Sequence, residues 1–165
     1  MSLYLDTNVF YNAYSPVEEQ QDAELVFSEL EARFYAITSE WTLSEMFRAF
    51  KKQVNLGTLT DGDAETALDF VVADIGEMVQ RRILKLIPIT RKQILSTREI
   101  IFSQNLYSAD ALHAIVAAEA KADVFVTFDS DFEKKMIEMP VINPTSDHFP
   151  RILRELKEKT LDFTD

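Results

Sequence analysis

The stretch from Ser108 to Phe132, SADALHAIVAAEAKADVFVTFDSDF, constrains the fold more than any other part of the chain. Its first half is rich in alanine and carries Asp110 in what reads as a first helical turn. Its second half contains the apolar run Val124-Phe125-Val126-Thr127-Phe128, which reads as a short buried strand. Asp129 stands where that strand would end, and Asp131 follows two residues later. The N-terminus repeats the theme, with Leu3-Tyr4-Leu5 running into Asp6. Buried strands that end in acids and alternate with helices imply a parallel sheet with carboxylates gathered along one edge.

The remaining segments fit that alternation. Strands are expected over 2–5, 34–37, 84–87, 123–128 and 140–142, the last an edge strand because it begins with Pro140. Helices are expected over about 17–33, 40–55, 60–82, 90–104, from Ser108 onward, 131–137, and from Ser146. Val9-Phe10-Tyr11 reads as a first helical turn on the sheet. Thr38 or Ser39, Thr60, Thr90 and Ser108 are candidate N-caps, and Gly57 suits a helix C-terminus. Ala64, Leu68, Val71, Ile75 and Met78 form one apolar stripe, suited to packing against the preceding helix or to a dimer. The chain is expected to form one domain over residues 1–160, with a helical hairpin arm at about 40–82 and a frayed tail at 161–165.

Composition narrows the chemistry. No apolar run approaches the roughly 20 residues needed to span a bilayer, and the N-terminus lacks the basic region of a signal peptide. A cytoplasmic protein is therefore expected. The absence of cysteine excludes disulfides and thiolate metal sites. Three glycines, Gly57, Gly62 and Gly76, form neither a dinucleotide-binding nor a phosphate-loop pattern. No GxSxG is present, which removes the usual serine hydrolase elbow.

The acids carry the functional reading. Asp6 and Asp129 close apolar strands, and in parallel α/β sheets ligands bind beyond the carboxyl ends of the strands. Helices that follow strands add Glu45 and Asp110, and Asp131 is a fifth candidate. Taken singly, each has an ordinary explanation. Asp110 can favour a helix N-terminus, Glu45 can pair with Arg48 or Lys52 on its own helix face, and Asp131 can cap a short helix. Taken together they repel one another, and a site that keeps such a cluster needs a cation. Oxygen-only ligands suit Mg²⁺ or Mn²⁺, and two such ions can support an in-line phosphoryl displacement. A metal-free route would rest on general acid–base catalysis, worth about 10²–10⁴-fold, against a total requirement on the order of 8–23 kcal/mol. Only His113 and His148 are available for it. His113 reads as a partly buried packing residue close to the site, and His148 as a surface turn residue.

The four motifs LDTNVF at Leu5–Phe10, SEWTLSE ending at Glu45, SADALHA around Asp110 and VTFDSDF around Asp129 occur in the order of a PIN-domain ribonuclease. The chain resembles the compact prokaryotic type found as VapC toxins. That resemblance implies a three-layer α/β/α sandwich around a parallel sheet of four to five strands. It also implies Mg²⁺- or Mn²⁺-dependent RNA cleavage at Asp6, Glu45, Asp110 and Asp129, with metal held by Asp6, Asp110, Asp129 and Asp131. Asn8 and Thr127 would orient carboxylates or water, and a homodimer and a small antitoxin would be partners. The net charge of −11 departs from what RNA binding favours. Arg48, Lys51 and Lys52 are the candidate basic rim for RNA. Two other readings compete. A non-catalytic PIN-like module would use its acidic face or the 60–82 helix to bind a partner. An aspartate-nucleophile phosphatase would use Asp6, but its second acid position is occupied by Asn8.

Overall fold

The computed structural model describes residues 1–15, 17–32, 34–133, 139–145 and 149–161. In chain order the elements are β1 (Ser2–Leu5), α1 (Thr7–Ala13), α2 (Gln20–Ala32), β2 (Tyr35–Ser39), α3 (Trp41–Leu56), α4 (Asp61–Gln80) and β3 (Leu84–Ile87). They continue with α5 (Arg91–Gln104), α6 (Ser108–Glu119), β4 (Val124–Val126), α7 (Ser130–Glu133), β5 (Val141–Ile142) and α8 (Phe149–Leu161). The five strands form one parallel sheet in the order β3-β2-β1-β4-β5.

Alternation along the strands divides the core into two layers of helices. Leu3 and Leu5 of β1, with Val124 and Val126 of β4, face one side. Against them pack Val9 and Phe10 of α1, Val26 of α2, Phe50 of α3, Val71 of α4 and Leu153 of α8. Tyr4, Ile37 and Phe125 face the other side, against α6, the inner face of α5 and Phe132 of α7. This is the period-two arrangement of a strand buried on both faces. It produces the expected α/β/α sandwich.

The strand order explains why the helices divide as they do. From β1 the chain steps outward to β2 and then β3, then returns past β1 to β4 and β5. Right-handed crossovers in opposite directions leave their helices on opposite faces. The carboxyl ends of β1 and β4 therefore part company at a topological switch point, where a crevice opens.

Local sequence chemistry sets most element boundaries. Thr60 and Thr90 each form a reciprocal capping box, with Asp63 and Gln93 respectively. Gly57 ends α3 in the left-handed region, with φ of 75°. Four boundary readings are corrected. Thr38 and Ser39 stay in β2, and Glu40 is the N-cap of α3 with no side-chain capping bond. Thr38 Oγ1 instead donates to Leu5 O, which makes it a strand-to-strand tie. Tyr107, not Ser108, is the N-cap of α6, because Ser108 already has helical geometry. The fourth strand stops at Val126, since Thr127 and Phe128 turn into a hydrogen-bonded loop. Finally α1 begins at Thr7, directly after Asp6.

The apolar stripe of α4 is used within the molecule. Ala64, Val71 and Ile75 are buried in the larger core layer, and Leu68 and Met78 pack against it. Residues 134–138 and 146–148, which hold the rest of the expected 131–137 helix, Ser146 and His148, lie outside the described residues, as do 162–165 of the tail.

Phe10 is fully buried and meets Phe27 edge-to-face at 5.4 Å. Phe10→Ala is expected to cost about 3–5 kcal/mol in urea denaturation. Phe102→Ala, at a side chain 84% exposed, is expected to stay within about 0.5 kcal/mol.

Candidate active site

The switch point places Asp6 beside Thr127. Asp6 follows the last residue of β1, and its backbone N–H donates to Val126 O at the end of β4, at 3.1 Å. The side chain is nearly buried, with 6% exposure. A carboxylate so placed needs donors, and three are supplied. Oδ1 accepts from the Thr7 backbone N–H at 2.7 Å. Oδ2 accepts from Asn8 Nδ2 at 2.8 Å and from Thr127 Oγ1 at 2.7 Å. Asp6 is also the N-cap of α1, so the first orphan amide of that helix helps hold the charge.

Asn8 and Thr127 lock the two strand exits together. Asn8 Nδ2 also donates to Thr127 Oγ1 at 2.9 Å, and Asn8 Oδ1 accepts from the Phe128 amide at 3.1 Å. Thr127 Oγ1 accepts from the Asp129 amide at 3.0 Å. Both residues thus orient Asp6 and shape the loop that carries Asp129.

Asp6, Glu45, Asp110 and Asp129 line one open cleft of about 460 Å³, together with Thr7, Asn8, Tyr11, Arg48, Ala49 and Lys52. Four of the acids singled out in the sequence therefore meet although they come from four distant segments. Asp131 lies in α7, but its side chain lies outside the described residues. Of the basic residues, Arg48 and Lys52 stand on the cleft wall, one and two turns after Glu45 on α3. Lys51 points elsewhere and pairs with Asp61 at the head of α4, at 2.6 Å.

His113 is the functional candidate that spacing alone undervalued. It is 1% exposed, fully rather than partly buried, and both ring nitrogens have polar partners. Its Nε2 lies 2.6 Å from Glu45 Oε2 and 3.9 Å from Asp6 Oδ1, and its Nδ1 lies 2.8 Å from the Tyr4 hydroxyl. Thr7 Oγ1 donates to the same Glu45 oxygen at 2.5 Å. Glu45 thus bonds across the cleft to α6 and α1. The visible clue was helical spacing, since His113 follows Asp110 by three residues and shares its face. Nothing in the sequence pointed to Tyr4 or Thr7.

The electrostatics follow from this crowding. Burial pushes the Asp6 carboxyl up, against the opposing pull of His113 and the Thr127 hydroxyl. Burial, then the charges of Asp6 and Asp129, raise Asp110 to about 6. Burial would also raise Glu45, but its hydrogen bond and charge pairing with His113 hold it below the usual range. Burial disfavours the His113 cation, yet the Glu45 bond and the surrounding carboxylates raise its affinity for a proton. The four acids that line the cleft offer carboxylate oxygens, the ligands that hard divalent cations take. Among the described residues no group of three or more acidic or imidazole side chains is arranged to hold a metal ion as it stands.

The fold and its acid-lined crevice define the class: a parallel α/β sandwich with a polar site at the β1/β4 switch point. The sequence matches the PIN domain family model over residues 3–137, and the chain belongs to the PIN domain family. Comparison with curated proteins returns no match. Among solved structures it is similar to VapBC2 from Rickettsia felis bound to a promoter DNA fragment. That match has 18% identity and a TM-score of 0.61, covering 87% of this chain and 98% of that one. It is also similar to VapC20 of Mycobacterium tuberculosis, a toxin that cleaves the sarcin-ricin loop. There the identity is 12% and the TM-score 0.62, with 80% and 93% covered. A third, VapBC-1 from nontypeable Haemophilus influenzae, has 15% identity and a TM-score of 0.57, with 88% and 100% covered. No described helix is long and apolar enough to cross a membrane.

Asp110→Asn is expected to stabilise the metal-free protein at pH 7. The Asp110 carboxyl titrates near 6 when folded against a reference of 3.8, so protonation favours the fold. That contribution is complete below about pH 4 and is lost as pH rises through about 6. The gain from Asn should therefore be on the order of 1 kcal/mol above pH 7, after allowance for solvent screening. It should vanish near pH 3.5. Thermal melts in chelator across that range check it, and a gain independent of pH would contradict it.

Proposed function

We propose that the chain is a divalent-metal-dependent endoribonuclease that hydrolyses RNA phosphodiester bonds, acting as the toxin partner of a small antitoxin. The observation that carries this reading is the convergence of Asp6, Glu45, Asp110 and Asp129 on one cleft, beside Arg48 and Lys52. Isolated surface acids have no reason to meet at a switch point. Carboxylates that raise one another's proton affinity are poised to exchange protons for a cation.

Asp6, Asp110 and Asp129 would hold Mg²⁺ or Mn²⁺, with Asp131 in support. Such an ion supplies a lowered water pKa and stabilises charge on the phosphoryl oxygens. The chain's own residues supply the rest. Asn8 and Thr127 donate to Asp6 Oδ2, which favours its ionised form against the pull of burial and fixes its direction in the cleft. Glu45, held ionised by His113, accepts a hydrogen bond from the attacking water. Arg48 and Lys52 place positive charge along the wall for RNA phosphates, where Arg can bind two oxygens at once. These two cations matter because the net charge of −11 repels a polyanion at long range. The toxin assignment is supported by the family and by likeness to VapC-type folds, and a cytoplasmic location fits an RNA substrate.

Purified protein should cleave a pool of single-stranded and structured RNA with Mn²⁺ or Mg²⁺ and not with chelator. Asp110→Asn and Asp129→Asn should each lose at least about 100-fold, the scale of a lost charge-stabilising group. Well-folded protein that binds Mn²⁺ and cleaves none of the pool would favour a non-catalytic binding module. The double variant Arg48→Ala, Lys52→Ala should weaken RNA binding and reduce its log–log salt slope by about 1.4, or roughly 0.7 per phosphate contact. An unchanged slope would remove both residues from the RNA path.

A further inference from the structure

His113 and Tyr4 form a buried polar chain that the four acids alone do not explain. Tyr4 is fully buried in the sheet, its ring stacked on Phe125 at 5.2 Å and edge-on to His113 at 5.8 Å. Its hydroxyl lies 2.8 Å from His113 Nδ1, and His113 Nε2 lies 2.6 Å from Glu45 Oε2.

The protons in this chain are fixed by its acceptor. An ionised carboxylate can only accept, so the bond to Glu45 requires a proton on Nε2. With a neutral ring, Nδ1 then accepts from the Tyr4 hydroxyl. With a cationic ring, Nδ1–H donates to the same oxygen. Tyr4 serves both states, and in both Nε2–H stays on Glu45. Thr7 spends its hydroxyl proton on the same Oε2, so its 3.2 Å approach to His113 Nε2 joins two donors that share one acceptor. Oε2 is thereby saturated. Among the described residues nothing donates to Oε1, while Glu45 lines the cleft.

We propose that Tyr4 and His113 are positioning residues that lock Glu45 Oε2, so that Glu45 meets the attacking water through Oε1 alone. This rests on the ribonuclease reading above. A glutamate with both oxygens free can rotate, or chelate an ion with both oxygens. Tied through Oε2 to α6 and to the β1–α1 junction, it presents a single oxygen, Oε1, to the cleft.

The test compares His113→Ala, His113→Gln and Tyr4→Phe. Glutamine keeps an N–H donor near the position of Nε2, and phenylalanine keeps the ring stack while deleting the hydroxyl. Each variant's melting temperature is measured first, then kcat and KM on one RNA substrate with Mn²⁺, and Mn²⁺ binding by calorimetry without RNA. His113→Ala is expected to lower kcat roughly 10–100-fold, the usual cost of losing an orienting partner, with KM and Mn²⁺ affinity held within about twofold. His113→Gln should recover most of that loss, and Tyr4→Phe should fall between. A folded His113→Gln as impaired as the alanine variant would overturn the proposal. So would a loss confined to KM or to Mn²⁺ affinity. Nitrogen-15 NMR of His113 in the metal-free wild type provides an independent readout should a variant not fold. A protonated Nε2 is expected, and a proton on Nδ1 alone would overturn the chain. If the wild type cleaves no RNA, the ribonuclease reading fails, and the NMR result still decides whether Glu45 is held as described.

Discussion

Everything at this site depends on one carboxylate placed almost buried at the end of the central strand. Asp6 sits where β1 and β4 diverge, and three donors from Thr7, Asn8 and Thr127 hold it there. An unpaired carboxylate in that position would cost several kcal/mol or take up a proton. The donors come from both sides of the switch point, so the interaction that stabilises the charge also fastens the two strand exits. The Asp129 loop follows from the same bond set, since its amide rests on Thr127 Oγ1. Fold and candidate chemistry share one hydrogen-bond network, and changing Asn8 or Thr127 disturbs both.

A second layer of organisation is electrostatic. The cleft gathers acids, burial together with the charges of Asp6 and Asp129 lifts Asp110 to about 6, and one buried imidazole opposes them. His113 is tied by a 2.6 Å contact to Glu45 and lies 3.9 Å from Asp6. This divides the acids into two kinds. Glu45 has His113 as a close partner and is held low, whereas burial and its acidic neighbours outweigh the pull of His113 on Asp110 and raise it. Groups that are pushed apart in proton affinity within one cleft are suited to different tasks. The basic wall of Arg48 and Lys52 adds a local attraction that the acidic molecule as a whole lacks.

Much of this was legible in the residues because each signal was local. The apolar runs at Leu3–Leu5 and Val124–Val126 are strands, and Thr60, Thr90 and Gly57 bound their helices through side-chain and backbone chemistry within a few residues. Two readings failed for non-local reasons. Thr38 looked like a cap, but its hydroxyl bonds to Leu5 on the neighbouring strand. Lys51 looked like part of a basic rim, but Asp61 on the following helix captures it. The stripe on α4 was equally suited to a dimer, and only the packing of Val71 and Ile75 into the core decides its use.

By itself the sequence determined an alternating α/β chain whose strands end in carboxylates, and the family to which such an ordered set of motifs belongs. Spacing along a strand or helix encodes which face a residue occupies, because those periods are properties of the backbone. Only the tertiary structure decided that Glu45 bonds to His113 rather than to Arg48 or Lys52, that Tyr4 stands behind that histidine, and that Arg48 and Lys52 reach the cleft while Lys51 does not. Those outcomes depend on distances between segments as much as 109 residues apart in the chain. Such distances are fixed by strand order and crossover handedness, and no local pattern of residues records them.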